Sequence, residues 1–218
     1  MNYKNLVNAV LRRLRETECN SVQDTAYTKL IGDFVNETKR EVEDAWNWRQ
    51  LSTYMDITTT AGTHTYTLTG TSDRTRFPDC DQYNVSQKGL LRPAPKTWMT
   101  RNNIYGDNQR GDPSHYAVVG YTSDGEVQVQ VHPIPDTTGD TLRIYVFQPQ
   151  ADLEDDTDNM SVPSQPVIDG AWARAISERG EDGGRMSDAQ FGIYKATLAD
   201  YISIAVSNEP DSAVWSRY

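Results

Sequence analysis

The chain has 218 residues, enough for one sizeable domain or for a smaller domain with another inserted in it. Hydrophobic side chains make up 37%, with 5 Trp and 12 Tyr, so a core can be buried and wholesale disorder is excluded. The mean hydropathy is -0.69, no apolar run reaches membrane-spanning length, and Met1–Leu6 lacks the apolar stretch of a signal peptide. The net charge of -10 is unevenly spread. Residues 111–170 carry 1 basic and 11 acidic side chains, whereas residues 70–110 carry 7 basic and 4 acidic ones. So acidic a surface repels phosphate, which disfavours tight nucleic-acid binding, and it attracts a basic protein partner. Cys19 and Cys80 fit no metal spacing and read as two free thiols of a reduced compartment.

Residues 3–17 read as an amphipathic helix, with Leu6, Val7, Val10, Leu11 and Leu14 on one face and Asn2 as N-cap. Asp24 or Thr25 caps a longer helix running to about Arg49. Its expected apolar face is Tyr27, Leu30, Ile31, Phe34, Val35, Val42, Ala45 and Trp46. It ends in Trp46-Asn47-Trp48, where one Trp is expected in the core. From Ser52 the period becomes two. Residues 52–58 and 63–69 alternate around the turn Ala61-Gly62 and read as a hairpin arm.

Residues 70–110 are less regular. Phe77–Asp81 reads as a loop and Asp81–Gln87 as a strand. Pro93 and Pro95 preclude a long helix. Pro95–Ile104 reads as a short helix with Trp98 and Met99 inward, followed by a polar loop. This zone holds Arg92, Lys96, Arg101 and Arg110, a weakly basic candidate for contact with an acidic neighbour.

Gly111–Pro149 holds three alternating runs: His115–Gly120, Glu126–Val131 and Thr141–Phe147. Gly, Pro and Asp punctuate them, which predicts a three-strand antiparallel meander. The acidic run Asp152–Asp158 follows, and its bland reading is a solvated loop. A helix is expected from Pro166 to near Gly180. Another is expected behind a capping box of Ser187 and Gln190, with Ile193, Tyr194, Thr197, Leu198, Tyr201, Ile202 and Ala205 on its face. Pro210 stops any helix, and Trp215 and Tyr218 stand beyond it as candidate anchors on another molecule.

The predicted fold class is α+β. Residues 1–50 and 160–206 form a split four-helix bundle, with two helices from each end of the chain. Residues 51–159 form an inserted antiparallel β-sheet or β-sandwich module, and residues 207–218 an extended tail. Catalytic chemistry is not indicated. There is no phosphate loop, nucleophile elbow or ligand-spaced His and Cys cluster. Asp152, Glu154, Asp156 and Asp158 alternate as in a calcium loop, but Thr157 and Pro163 stand where an EF-hand needs Gly and Glu. No catalytic, cofactor or metal residue is assigned, and no cofactor is expected.

The order of weak motifs carries a resemblance. Trp46-Asn47-Trp48 is followed by Tyr66-Thr67-Leu68. Gly111-Asp112-Pro113 with Tyr116, Val131-His132-Pro133-Ile134-Pro135-Asp136 and Leu142-Arg143-Ile144-Tyr145 come next, then Val162-Pro163 and an Ala-rich helical pair. Over essentially the whole chain this resembles the head-to-tail adaptor of tailed bacteriophages, of the tail tubular protein A type found in short-tailed phages. The resemblance implies a non-enzymatic virion protein, made in the host cytoplasm, that forms a ring of twelve subunits between the portal and the tail tube or nozzle protein. The genome DNA passes through its bore without sequence-specific binding, and no membrane is involved. It also implies that Ser207–Tyr218 grips the portal, through Pro210, Val214, Trp215 and Tyr218. The acidic run Asp152, Glu154, Asp155, Asp156 and Asp158 becomes a candidate surface toward the bore or a basic partner. The alternatives are a carbohydrate- or receptor-binding tail module, with Tyr105, Tyr116 and Tyr121 as a platform, and a cell-wall hydrolase acting through two carboxylates.

Overall fold

The computed structural model describes residues 1–78, 82–105, 109–180 and 184–208. It divides into two compact units. One is formed by Met1–Gln50 with Gln150–Tyr218, and the other by Leu51–Pro149.

Among its described residues the first unit contains four α-helices. Helix α1 (Tyr3–Arg13) is capped by Asn2, whose side chain accepts from the Asn5 amide at 2.9 Å. It ends four residues before the expected boundary, and Leu6, Val7, Val10 and Leu11 are buried as the period predicts. Helix α2 (Ala26–Ala45) starts behind Thr25 in a reciprocal cap with Thr28, and it stops at Trp46 rather than Arg49. Of the two Trp beyond it, Trp48 is the core residue, its indole donating to the Val42 carbonyl at 2.5 Å. The buried face of α2 is rotated from the expected one. It comprises Thr28, Ile31, Gly32, Val35, Thr38, Lys39, Val42 and Glu43, while Tyr27, Leu30 and Phe34 are only half-buried.

The rotation follows from charge pairing. The Lys39 ammonium lies 3.1 Å from Glu43 Oε1, and it donates to the carbonyls of Gln150 and Ala151 at 2.8 and 2.9 Å. A polar stripe is thereby made compatible with burial, as buried charges require.

Helix α4 (Ser164–Arg179) begins two residues before Pro166, with Pro163 at its N-cap, and ends at Gly180 in the left-handed region. It packs against α1, α2 and helix α5 (Arg185–Ser207). A helix surrounded in this way must pair the charges it turns toward its neighbours, and Asp169 meets Arg13 while Arg174 meets Glu37 and Glu41. Gly170 permits the closest approach, since a Cβ there would lie 2.5 Å from Thr38 Cγ2 and 3.1 Å from the Tyr194 ring. The capping box expected at Ser187 does not form. Helix α5 starts behind Gly184, whose φ of +93° suits glycine, and the buried Ser187 hydroxyl donates back to the Gly184 carbonyl.

The second unit is one seven-stranded, nearly closed sheet in the order β1-β7-β3-β4-β5-β6-β2. Its strands are β1 (Ser52–Thr58), β2 (Thr65–Leu68), β3 (Gln82–Asn84), β4 (Gly89–Pro93), β5 (His115–Tyr121), β6 (Val127–His132) and β7 (Thr141–Phe147). Alternation sends Val127, Val129 and Val131 of β6 and Leu142, Ile144 and Val146 of β7 into one core with Ile57, Leu68, Leu91 and Tyr116.

Three expectations are corrected here. The meander is broken, because β5 and β6 pair but β7 pairs with β1 and β3 instead of β6. The link Pro133–Asp140 carries the chain away from β6, whose free side is taken by β2. The hairpin of residues 52–69 is likewise absent, since β1 and β2 are the two edges of the sheet. Nor is the module purely antiparallel or a sandwich. Strand β4, which ends at Pro93, joins β5 in parallel through Arg92 opposite His115 and Pro93 opposite Tyr116. Proline is tolerated at such a strand end because few ladder bonds are required of it. The short helix expected over Pro95–Ile104 forms as α3 (Lys96–Thr100) running into one π turn, Arg101–Tyr105.

Candidate functional site

The predicted site residues fall in three places. The tail candidates Pro210, Val214, Trp215 and Tyr218 lie outside the described residues, as do Cys80 and the middle of the turn between α4 and α5. The chain is described as far as Asn208, which with Trp48, Val162, Pro163, Tyr201 and Ile204 lines a cleft of about 700 Å³ at the end of α5.

The acidic run is built into the first unit. The Asp158 carboxylate accepts the amides of Glu154 and Asp155 at 2.9 and 2.8 Å, and these bonds hold its pKa below the usual carboxylate range. Asp156 accepts the Val22 amide at 2.9 Å, and Asp152 forms an ion pair with Arg40. Leu153 is buried, with its amide and carbonyl both held by the Asn36 side chain. The amides of Tyr3 and Lys4 donate to the carbonyls of Asp158 and Asp156, so the run sits at the N-terminus of α1, where negative charge is favourable. Burial, then Asp33, Asp152 and Asp156, push the Tyr3 hydroxyl up to about 12. Of the five carboxylates, those of Glu154 and Asp155 remain exposed without an ion pair among the described residues.

The basic candidates converge on one corner of the second unit. Arg92 lies opposite His115 across the parallel ladder. Lys96 and Arg101 line one shallow depression with Thr97 and Thr100, and the Lys96 ammonium donates to the Val119 carbonyl. Arg110 bridges to Ile134, two residues beyond His132. At their centre Trp98, which was expected inward, is 37% exposed, while Met99 takes the core position. The indole lies 5.1 Å from the His115 ring and 5.3 Å from the His132 ring. His132 is buried, its Nδ1 2.8 Å from the Asn103 side-chain oxygen, and burial lowers its pKa, helped by neighbouring His115.

Two surfaces were not anticipated as sites. The outer face of α5 is one of them. Met186, Ile193 and Ile204 are 60%, 53% and 55% exposed, and only Ser187, Gln190 and Tyr194 of this helix are buried. The signal was present in the sequence, because residues 186–207 carry only Asp188, Lys195 and Asp200 as charges. The other is a ladder of rings across β1, β7 and β3. Tyr145 meets Tyr54 and Tyr83 edge-on at 6.1 and 6.3 Å. Arg143 lies over the Tyr54 ring and forms two 2.8 Å bonds to Asp56, which lower the Asp56 pKa. The platform of Tyr105, Tyr116 and Tyr121 is not assembled, since Tyr116 belongs to the core. Among the described residues no group of three or more His, Cys, Asp or Glu is placed to hold a metal, and no helix is long and apolar enough to cross a membrane.

An exposed apolar helix face, an aromatic ladder and charged corners are features that docking surfaces share. The family model described as SU10 adaptor protein matches residues 1–216, and the chain belongs to that family. Membership gives it a structural role as a phage head–tail adaptor, a place in the virion, and interaction with portal and tail proteins. No curated protein matches the chain.

Proposed function

We propose that this adaptor forms a ring between the portal and the tail tube or nozzle protein and lines the conduit for the genome, without catalysing a reaction. In this reading the helices of both chain ends act as one split bundle that carries the β module as an insert. The subclass is the tail tubular protein A type of short-tailed phages, with twelve subunits in the ring. The tail beyond Ser207 grips the portal through Pro210, Val214, Trp215 and Tyr218.

The observation that carries the reading is α5. Large apolar side chains gathered on one outer helix face mark a surface that a partner covers, and Met186, Ile193 and Ile204 of this sparsely charged helix face solvent. Its outer face becomes interior only when other subunits cover it. The helix also leads directly into the tail proposed to grip the portal.

The test mixes the purified protein with a portal complex and images the product. Wild-type protein is expected to add a ring to the portal. Ile193→Glu with Ile204→Glu is expected to keep the monomer's melting temperature, since both side chains are exposed, and to abolish the ring. Normal rings from this variant would refute the role of α5, and no ring from wild-type protein would refute the adaptor ring itself.

A further inference from the structure

We propose that the basic corner around Trp98 binds the Asp152–Asp158 loop of a second copy of this chain, as the repeating contact of the assembly. The inference rests on the ring reading above and names the two surfaces that meet.

Charge complementarity carries it. The chain as a whole is acidic, yet Arg92, Arg101 and Arg110 are exposed and make no ion pair with any described carboxylate. Asp112 is the exposed carboxylate nearest to Arg110 in the described sequence, and it forms no ion pair with the corner. Among the described residues the three arginines are unpaired, so the corner presents exposed positive charge. The densest acidic run in the sequence is residues 152–158. Many other surface acids of its unit are already engaged: Glu16 with Arg179, Glu18 with Arg12, and Glu37 and Glu41 with Arg174. Glu154 and Asp155 are not.

Both surfaces are also pre-shaped. Asp158 and Asn36 hold the loop backbone so that Glu154 and Asp155 project together. On the other side, buried Met99 and the indole wedged against His115 and His132 fix α3, from which Arg101 extends. Pre-organised partners lose little side-chain and loop freedom on docking, and Arg beside an exposed Trp is the composition of an interface anchor. The corner and the loop are different surfaces of the chain, and we take the contact as heterologous. Each copy offers its corner to one neighbour and its loop to the other, which is the connectivity that closes into a ring.

The experiment uses full-length protein with the portal complex at low salt. Arg92→Glu, Arg101→Glu and Arg110→Glu together should raise the concentration for half-maximal ring formation about tenfold or more, because like charges then face each other. Adding Glu154→Lys and Asp155→Lys to the same chain should restore assembly. Melting temperatures should match wild type throughout, since all five side chains are exposed. Rings from the triple variant at the wild-type concentration would overturn this contact and leave the ring reading standing. So would a loss that the loop reversal fails to repair. A triple variant that assembles normally but loses retention of duplex DNA would assign the corner to nucleic acid instead. No ring from wild-type protein would sink the ring reading, and this contact with it.

Discussion

Lys39→Met is the most informative single change in the helical unit. Both side chains of the Lys39–Glu43 pair are fully buried, and the ammonium also serves the Gln150 and Ala151 carbonyls at 2.8 and 2.9 Å. Removing it takes the ammonium away from a buried carboxylate, a loss of about 3–5 kcal/mol. The Glu43→Met partner change is milder, because Lys39 keeps its two carbonyl acceptors. The double variant Lys39→Met with Glu43→Met removes both charges and leaves the same two carbonyls short of a donor, so it lacks only the further cost of the unneutralised carboxylate. The expected order of stability is wild type, then Glu43→Met, then the double variant, with Lys39→Met lowest. In a chain of this size the last corresponds to a fall in melting temperature of roughly 6–20 °C. Calorimetry or urea titration followed by Trp fluorescence measures the series. A loss below about 1 kcal/mol for Lys39→Met would show that the pair is wetter than its geometry, and that the ammonium does not hold residues 150–151 against α2.

Two further predictions come from packing and titration. Gly170→Ala should destabilise by about 1–3 kcal/mol, since its methyl would overlap Thr38 and press on Tyr194. Gly192→Ala, also helical but with open space around it, should stabilise by about 0.5–1 kcal/mol; melting curves of the two variants should move in opposite directions. Burial lowers the pKa of His132, so its neutral form is favoured in the folded protein. Its contribution is complete above the unfolded value of about 6.5 and declines as pH falls from there through the lowered folded value. Urea midpoints between pH 8 and pH 5 should therefore fall less steeply for His132→Gln than for wild type, and parallel slopes would contradict this.

The parts of the fold that were legible in the sequence are those decided locally. Asn2 and Thr25 cap helices because each offers an oxygen to an amide three residues on. The strands β6 and β7 alternate because one side of each faces a core. What was not legible depends on partners distant in sequence. The face of α2 is misjudged because periodicity counts Lys39 and Glu43 as outward, whereas the acceptors that let Lys39 turn inward lie 111 and 112 residues away. The meander is misjudged for a similar reason. Neighbouring strands pair in most sheets, and nothing in Pro133–Asp140 announces that β7 will instead join strands from residues 52–58 and 82–84. The basic candidates were found one by one in a segment without regular pattern. Only the parallel step between β4 and β5 brings Arg92 beside His115 and Trp98.

The acidic run shows how one segment meets two demands. Its sequence reads either as a solvated loop or as a functional surface, and both readings treat its carboxylates as equivalent. The hydrogen bonds separate them. Asp158 closes the loop on its own amides, Asp156 ties it to Val22 between α1 and α2, and Asp152 neutralises Arg40 of α2, so these three fix the segment. Glu154 and Asp155 receive no such task, yet the bonds made by Asp158 fix the backbone that presents them. Charge reversal of all five would therefore confound folding with docking. Reversal of Glu154 and Asp155 alone leaves the framework intact, so any change it causes in assembly reports on the outward surface.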